Sequence, residues 1–146
     1  MGSPGGRRAA GGQGFLVAAT PEARKALGGP EIELTGLPFR VGRESRKISW
    51  SATGIVSERR DEDRVPTNDL YLTESSERMN VSREHFQIEQ EGDGWVLVDR
   101  GSTCGTLVTG ETIGGDQAGG RSSLKDADVI VVGTSTSPYV FRFDLR

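Results

Sequence analysis

Three short stretches of the chain carry side chains suited to holding a phosphate group. They are Gly42-Arg43, Ser82-Arg83-Glu84-His85 and Ser102-Thr103-Cys104-Gly105-Thr106. Each stretch lies where a predicted strand meets a loop, and together they supply guanidinium groups, small hydroxyls and tight turns. A guanidinium offers a rigid fork of N–H groups that stays charged at any relevant pH, and a hydroxyl adds one more donor. These residue types predict a phosphate-binding site built from loops.

Composition argues for one domain and against several classes of function. The 146 residues include 18 Lys and Arg against 21 Asp and Glu, which gives a net charge of −3. Nucleic-acid binders usually carry a basic excess, so we expect no nucleic-acid partner. No apolar stretch approaches the ~20 residues that span a bilayer, so we expect no membrane partner either. The single cysteine excludes an internal disulfide and indicates a reducing, cytoplasmic setting.

The pattern of short strands predicts an all-β domain over residues 14–146. Residues 1–13 are Gly-rich and lack large apolar groups, which indicates a disordered tail or an expression remnant. Beyond them, short apolar runs are separated by Gly- and Asp-rich turns, as is typical of a β-sandwich. One short helix is predicted over Pro21 to Leu27, because Thr20 can cap it and Pro favours its first turn. Charges in the last strand, such as Arg142 and Asp144, are expected to protect a sheet edge.

Two segments do not follow the strand pattern. Residues 44–69 hold six acids and five bases, and this length exceeds an ordinary connection, which predicts a functional or disordered insertion. The Gly-rich segment 114–120 is not a nucleotide-binding P-loop, since no Gly-Lys-Ser/Thr sequence follows it. We expect this segment to be a mobile connection.

A catalytic role for His85 as the base of Ser82 is not favoured by the spacing. In extended chain, residues three apart point to opposite faces and lie roughly 10 Å apart along the backbone. No third group that would orient the imidazole is evident. A single histidine also gives no metal cluster, and no paired carboxylates emerge. We therefore predict no enzyme activity, no metal and no cofactor.

The order of the motifs resembles that of the forkhead-associated (FHA) domain family, over roughly residues 14–145. The motifs that carry the resemblance are, in order, Gly42-Arg43, Asn68-Asp69-Leu70-Tyr71-Leu72, Ser82-x-x-His85, Ser102-Thr103-x-Gly105-Thr106, Asp126-x-Asp128-Val129-Ile130 and Phe141-x-Phe143. The resemblance implies a β-sandwich of about eleven strands whose loops bind phosphothreonine peptides at one end. It also implies a threonine-phosphorylated partner, downstream of a Ser/Thr kinase.

The resemblance further implies a role for each matching residue. The residues expected to bind the phosphopeptide are Arg43, Ser82, Arg83, Thr103 and Cys104. The residues expected to support the loops are Gly42, His85 and Gly105, with His85 bracing them through hydrogen bonds. Ser102 and Thr106 are also interpreted as loop supports rather than contacts.

Cys104 departs from the family pattern, which usually has Asn at this position. The Asn amide donates and accepts hydrogen bonds to the peptide main chain beside the phosphothreonine, and a thiol is a poor substitute on both counts. Losing that pair would cost ~1–3 kcal/mol, or about tenfold to a hundredfold in affinity. Three alternatives follow. The site binds phosphopeptides more weakly, the 44–69 insertion replaces the missing contacts, or the domain is a phosphate-independent interaction or assembly module.

Overall fold

The computed structural model of the chain describes residues 12–43, 46–50, 56–60, 68–73 and 81–146. These ranges contain thirteen strands and one short helix. In chain order the elements are β1 (Gly14–Ala18), α1 (Pro21–Leu27), β2 (Glu31–Glu33), β3 (Phe39–Arg43), β4 (Arg46–Trp50), β5 (Val56–Arg60), β6 (Leu70–Leu72), β7 (Phe86–Glu91), β8 (Gly94–Asp99), β9 (Thr106–Val108), β10 (Glu111–Ile113), β11 (Gly120–Leu124), β12 (Asp128–Val132) and β13 (Val140–Leu145). No helix in the described ranges is long and apolar enough to cross a membrane.

Eleven of the described strands form two sheets. The larger sheet has the strand order β10-β9-β12-β13-β1-β2, and the smaller has the order β11-β8-β7-β3-β6. Neighbouring strands are antiparallel, except that β3 and β6 are parallel. The structure confirms the predicted all-β sandwich of about eleven strands.

The core lies between the inner faces of the two sheets, because successive side chains of a strand point to opposite sides. Phe141 and Phe143 of β13 are fully buried, and so are Val41 of β3 and Leu97 of β8. All four belong to one continuous apolar cluster. Burial of an aliphatic or aromatic side chain contributes about 1.5–3 kcal/mol, so this cluster fixes the two sheets against each other. The strand ends and their loops are held in register as a result.

Helix α1 forms as the sequence predicts. Thr20 has extended backbone angles, and its hydroxyl oxygen accepts the N–H of Ala23 at 3.2 Å. Gly28 ends the helix with a left-handed φ of 76° and donates its N–H to the carbonyls of Arg24 and Lys25. The cap and the left-handed glycine satisfy backbone groups that the helix itself leaves without partners.

The expectation that Arg142 and Asp144 protect a sheet edge is wrong. Their strand, β13, lies between β12 and β1 in the interior of the larger sheet. Since Phe141 and Phe143 alternate with them and point into the core, Arg142 and Asp144 lie on the outer face. Charge in the last strand indicates a solvent-facing side rather than an edge.

Two further details differ from the sequence-based expectations. Strand β11 begins at Gly120, the last residue of the segment 114–120 that was predicted to be a mobile connection. Its sequence, Gly-Arg-Ser-Ser-Leu, carries one large apolar side chain, because an edge strand of the smaller sheet buries little.

Within the 44–69 insertion, β4 and β5 pair with each other as an antiparallel sheet, from Arg46 opposite Arg60 to Trp50 opposite Val56. The division into a tail, 1–13, and a domain, 14–146, stays a prediction.

Candidate functional site

An open cleft of about 750 Å³ lies at the ends of β3 and β8 and the start of β7. Its lining residues are Arg43, Val81, Ser82, Arg83, Glu84, Arg100, Gly101, Thr103 and Gln117. Four of the five residues predicted to bind the phosphopeptide therefore meet in one cleft, although they come from three separate segments. The fifth, Cys104, is half-buried and is not among the described residues that line the cleft.

Gly42 allows the loop before β7 to lie directly against β3. A Cβ atom at this position would lie 2.0 Å from the carbonyl oxygen of Arg83, far inside van der Waals contact. Asn68 holds the same carbonyl, since its Nδ2 donates to the oxygen at 2.7 Å. The Arg43 N–H also donates to the carbonyl of Ser82 at 2.9 Å. This close approach aligns Arg43 with Ser82 and Arg83 on one wall of the cleft.

His85 connects two of the loops that form the cleft. The side chain is fully buried, its Nδ1 accepts the Ser82 N–H at 3.0 Å, and its Nε2 lies 2.7 Å from the carbonyl oxygen of Gly105. A neutral imidazole has one donor nitrogen, so Nε2 carries the proton and donates to Gly105. Burial lowers the pKa of His85 below its ordinary value, against the opposing influence of the Gly105 carbonyl and the Asp99 charge. The ring is therefore held in its neutral form.

The distance argument against a catalytic Ser82–His85 pair is wrong. The chain bends between the two residues instead of extending, and the Ser82 N–H reaches the imidazole. The hydrogen bonds argue against base catalysis for a different reason. Both ring nitrogens bond backbone groups, while the Ser82 hydroxyl oxygen accepts the N–H of Thr103 at 3.1 Å. The imidazole hydrogen-bonds to the backbone of the loops and not to the serine hydroxyl.

Asp99 organises the third loop, and sequence reasoning missed it. Its Oδ1 accepts the N–H groups of Gly101 and Ser102 at 3.0 and 2.8 Å, and its Oδ2 accepts the hydroxyls of Ser102 and Thr106 at 2.6 and 2.9 Å. The Ser102 Oγ in turn accepts the N–H of Gly105, which has a left-handed φ of 83°. An Asp at the start of a loop commonly bonds the backbone two or three residues on, and this was the signal available in the sequence.

Arg100 is a second residue that no motif indicated, and it lines the cleft. It follows Asp99, and its backbone N–H donates to the carbonyl of His85 at 2.8 Å. One terminal nitrogen of its guanidinium donates to Asn68 Oδ1 at 2.6 Å, and the other lies 3.8 Å from the Glu84 carboxylate. Burial lowers the pKa of Arg100, and the Glu84 charge opposes that effect. Arg100 thus ties Asn68 and the loop before β7 to the end of β8.

The cleft is positively charged although the chain as a whole is acidic. Its lining includes three guanidinium groups and one carboxylate, that of Glu84, whereas the chain carries a net charge of −3. Guanidinium groups and hydroxyls are the donors that phosphate oxygens prefer in proteins. In the described part of the chain, no group of three His, Cys, Asp or Glu side chains is arranged to hold a metal ion. The chemistry that this arrangement supports is recognition of an anion.

The segment predicted to be a mobile connection is fastened to the cleft. The N–H of Asp116 donates to the carbonyl of Thr103 at 2.9 Å, and the N–H of Gln117 donates to the carbonyl of Ser102 at 3.0 Å. A Cβ atom on Gly114 would lie 2.5 Å from the Asp99 carboxyl carbon, so glycine is needed for this close packing. The segment therefore contributes a residue, Gln117, to the lining of the cleft.

The part of the chain that contains most of the motifs matches a known protein family. The FHA domain model matches residues 39–133, which is more than half of the chain. The chain belongs to the FHA domain family. Protein phosphatase 2C 70 of Arabidopsis thaliana is 38% identical to it over 84 residues, which are 53% of this chain and 14% of that protein. This FHA domain thus corresponds to a small part of that curated relative.

Solved FHA domain structures have the same fold. The FHA domain of the CT664 protein from Chlamydia trachomatis has a TM-score of 0.57 at 20% identity, and the match covers 92% of this chain and 98% of that one. The N-terminal FHA domain of S. cerevisiae Rad53p, solved in complex with a phosphothreonine peptide, has a TM-score of 0.59 at 18% identity, covering 92% and 94%. Mycobacterium tuberculosis EmbR, in complex with a low affinity phosphopeptide, has a TM-score of 0.54 at 21% identity, covering 92% and 24%.

Proposed function

We propose that this FHA domain binds phosphothreonine peptides and thereby mediates phosphorylation-dependent protein–protein interaction. The observation that carries the proposal is the shared cleft of Arg43, Ser82, Arg83 and Thr103, which is positively charged in an acidic chain. A phosphate carries about −1.5 to −2 charges at neutral pH and three strong acceptor oxygens. The cleft supplies the opposite charge and the donors for those oxygens.

Each cleft residue has a distinct part in the proposed mechanism. Arg43 and Arg83 pair with the phosphate charge, and the hydroxyls of Ser82 and Thr103 donate to its oxygens. His85 holds the Ser82 backbone against the Gly105 carbonyl, so these donors are positioned before the ligand arrives. Binding to a site that is already ordered costs less conformational entropy.

The solved relatives support this proposal. The N-terminal FHA domain of Rad53p and about a quarter of the EmbR chain have the same fold as this chain, and their structures hold a phosphothreonine peptide and a phosphopeptide. We propose a partner of the same chemistry, a threonine-phosphorylated protein produced by a Ser/Thr kinase. The single cysteine is consistent with a reducing compartment, and we propose a cytoplasmic location.

We also propose that the domain acts by binding and not by catalysis. The single histidine of the sequence, His85, uses both ring nitrogens on backbone atoms and is fully buried. The phosphatase relative extends far beyond the part that this chain matches, so its activity is not transferred to the domain.

The proposal is tested by titrating the protein with a peptide library that carries phosphothreonine at a fixed central position. We expect Arg43→Ala to weaken binding about tenfold to a hundredfold, because a charge-assisted contact contributes ~1.5–3 kcal/mol. Arg24→Ala is the matched control, since Arg24 is exposed on α1 and does not line the cleft. Equal affinities of Arg43→Ala and the wild type, measured by calorimetry, would contradict the assignment.

A phosphate-independent interaction or assembly domain is the second candidate, and Cys104 favours it. A thiol there cannot supply the two hydrogen bonds of an amide. The two candidates differ in one outcome: partner binding that survives phosphatase treatment supports the second and contradicts the first.

A further inference from the structure

Gln117 brings a carboxamide into the cleft from a segment that no motif marks. Its side chain is exposed, and it is the one carboxamide among the described residues that line the cleft. The other polar lining groups are guanidiniums, hydroxyls and one carboxylate. The guanidiniums only donate and the carboxylate only accepts, and in the proposed function the hydroxyls bind the phosphate. The carboxamide is neutral, both donates and accepts, and is left for another part of the ligand.

The backbone of Gln117 is fixed relative to the phosphate-binding loops. Its N–H donates to the carbonyl of Ser102 at 3.0 Å, and Ser102 is fully buried and bonded twice to Asp99. The preceding residue, Asp116, donates its N–H to the carbonyl of Thr103. The backbone of Gln117 is therefore tied to the loop that contains Thr103, a residue that lines the same cleft.

Two consecutive left-handed residues set the direction of this segment. Asp116 has a φ of 51° and Gln117 a φ of 63°, conformations that non-glycine residues adopt uncommonly. Such backbone is kept where surrounding contacts determine it, and it clusters at ligand-binding sites. Here the contacts are the turn hydrogen bond from the Ala118 N–H to the Gly115 carbonyl at 3.0 Å and the two backbone hydrogen bonds to Ser102 and Thr103.

A peptide bound through its phosphate also presents main-chain N–H and C=O groups to the cleft walls. Those groups need a neutral partner that can both donate and accept, because leaving them unpaired on binding costs affinity. Cys104 cannot meet this need, since its thiol is a weak donor and a weak acceptor and lies outside the lining. We propose that the Gln117 carboxamide binds the main chain of the phosphopeptide beside the phosphothreonine, an inference that rests on the proposed function.

The proposal is tested with Gln117→Gly, which removes the side chain while keeping a residue that readily adopts a φ of 63°. The probes are the phosphothreonine peptide library and inorganic phosphate, titrated separately. We expect the peptide affinity to fall about tenfold, as the loss of a main-chain hydrogen-bond pair would give. The affinity for inorganic phosphate is expected to stay within about twofold of the wild-type value, since the proposal gives Gln117 no contact with the phosphate.

Asp116→Gly is the matched control, because it relaxes the neighbouring left-handed residue without removing a cleft side chain. We expect this variant to bind the peptide at least as tightly as the wild type. If Gln117→Gly binds the peptide as the wild type does, or if peptide and phosphate affinities fall together, the Gln117 proposal is overturned. A wild-type protein that binds phosphate but no library peptide would instead overturn the proposed function.

A double-mutant cycle with Cys104→Asn provides a second readout. If Gln117 supplies the amide contact that Cys104 lacks, the asparagine should improve peptide affinity more in Gln117→Gly than in the wild type. Equal gains in the two backgrounds would mean that the two positions act independently, which contradicts a shared role on the peptide main chain.

Discussion

Two polar clusters of the molecule differ in what their hydrogen bonds join. In the first, the loop cluster, the buried side chains of His85 and Asp99 bond mainly to backbone groups of the binding loops. In the second, the surface cluster, charged side chains bond to one another on the outer face of the larger sheet. Its members are Glu31, Arg142, Asp144 and Arg146.

The difference teaches that hydrogen bonds to the backbone, made away from water, are what positions the site. A buried donor or acceptor left without a partner costs ~1–3 kcal/mol, so each bond in the loop cluster constrains the path of the chain. Exposed ion pairs exchange readily with water and contribute little. The surface ion pairs do shift pKa values, because Arg142 lowers the pKa of Asp144 and Arg146 lowers the pKa of Glu31. They do not direct the backbone of a loop.

The largest expected effect is that of Asp99→Ala. The change leaves two N–H groups and two hydroxyls without their acceptor, so we expect the free energy of unfolding to fall by about 3–5 kcal/mol. Chemical denaturation measures this quantity. Asp144→Ala is the matched control in the surface cluster and should change it far less. Similar losses in the two variants would remove the distinction between the clusters.

A smaller effect is expected from Gly42→Ala. The added methyl group would lie 2.0 Å from the carbonyl oxygen of Arg83, so the loop must move away from β3 at a cost of about 1–3 kcal/mol. We expect weaker peptide binding as well, because Arg43 and Ser82 lose their alignment. Gly29→Ala serves as control, since no atom lies within 4 Å of its added methyl group. Unchanged denaturation and binding in Gly42→Ala would contradict the close approach.

The third effect in order of size is expected from acidification, which should lower the stability that the loop cluster contributes. The pKa of His85 is lowered by burial, so the unfolded chain takes up the proton first as the pH falls through about 6.5. The contribution of His85 to stability is therefore constant at neutral pH and above, and it declines from pH ~6.5 down to the folded pKa. A protonated ring would also face the Ser82 N–H with a second donor.

The histidine titration is directly measurable, because the sequence contains one histidine. Nuclear magnetic resonance of its ring protons should give a pKa below 6.5 in the folded protein. Denaturation curves at several pH values should show the matching loss of stability. A titration midpoint at or above 6.5 would show that burial does not determine the pKa of this ring and would contradict the prediction.

The smallest effect is expected from Arg146→Ala. The guanidinium donates to both oxygens of Glu31 at 2.6 and 2.7 Å and lies over the ring of Phe15, yet its side chain is 43% exposed. We expect thermal unfolding to be nearly unchanged at physiological salt, where exposed charges are screened. A loss comparable with that of Gly42→Ala would mean that the surface cluster stabilises the fold after all.

The sequence predicted the sandwich and most of the site because those features depend on local residue types. Strand alternation, the capped helix at Pro21–Leu27 and the motif order are all readable along the chain. Strand β11 was missed, since an edge strand with one large apolar residue has a weak pattern. The bend between Ser82 and His85 was missed as well. The prediction assumed an extended chain, whereas the buried His85 ring accepts the Ser82 N–H and the chain bends between the two residues.

The sequence by itself determined which side chains could hold a phosphate, because Arg43, Ser82, Arg83 and Thr103 are defined by residue type and motif. Only the tertiary structure decided that Arg100 and Gln117 join them, since sheet register and loop-to-loop hydrogen bonds bring those residues to the cleft. Contacts between segments distant in the chain depend on how the sheets pack, and no local pattern encodes them.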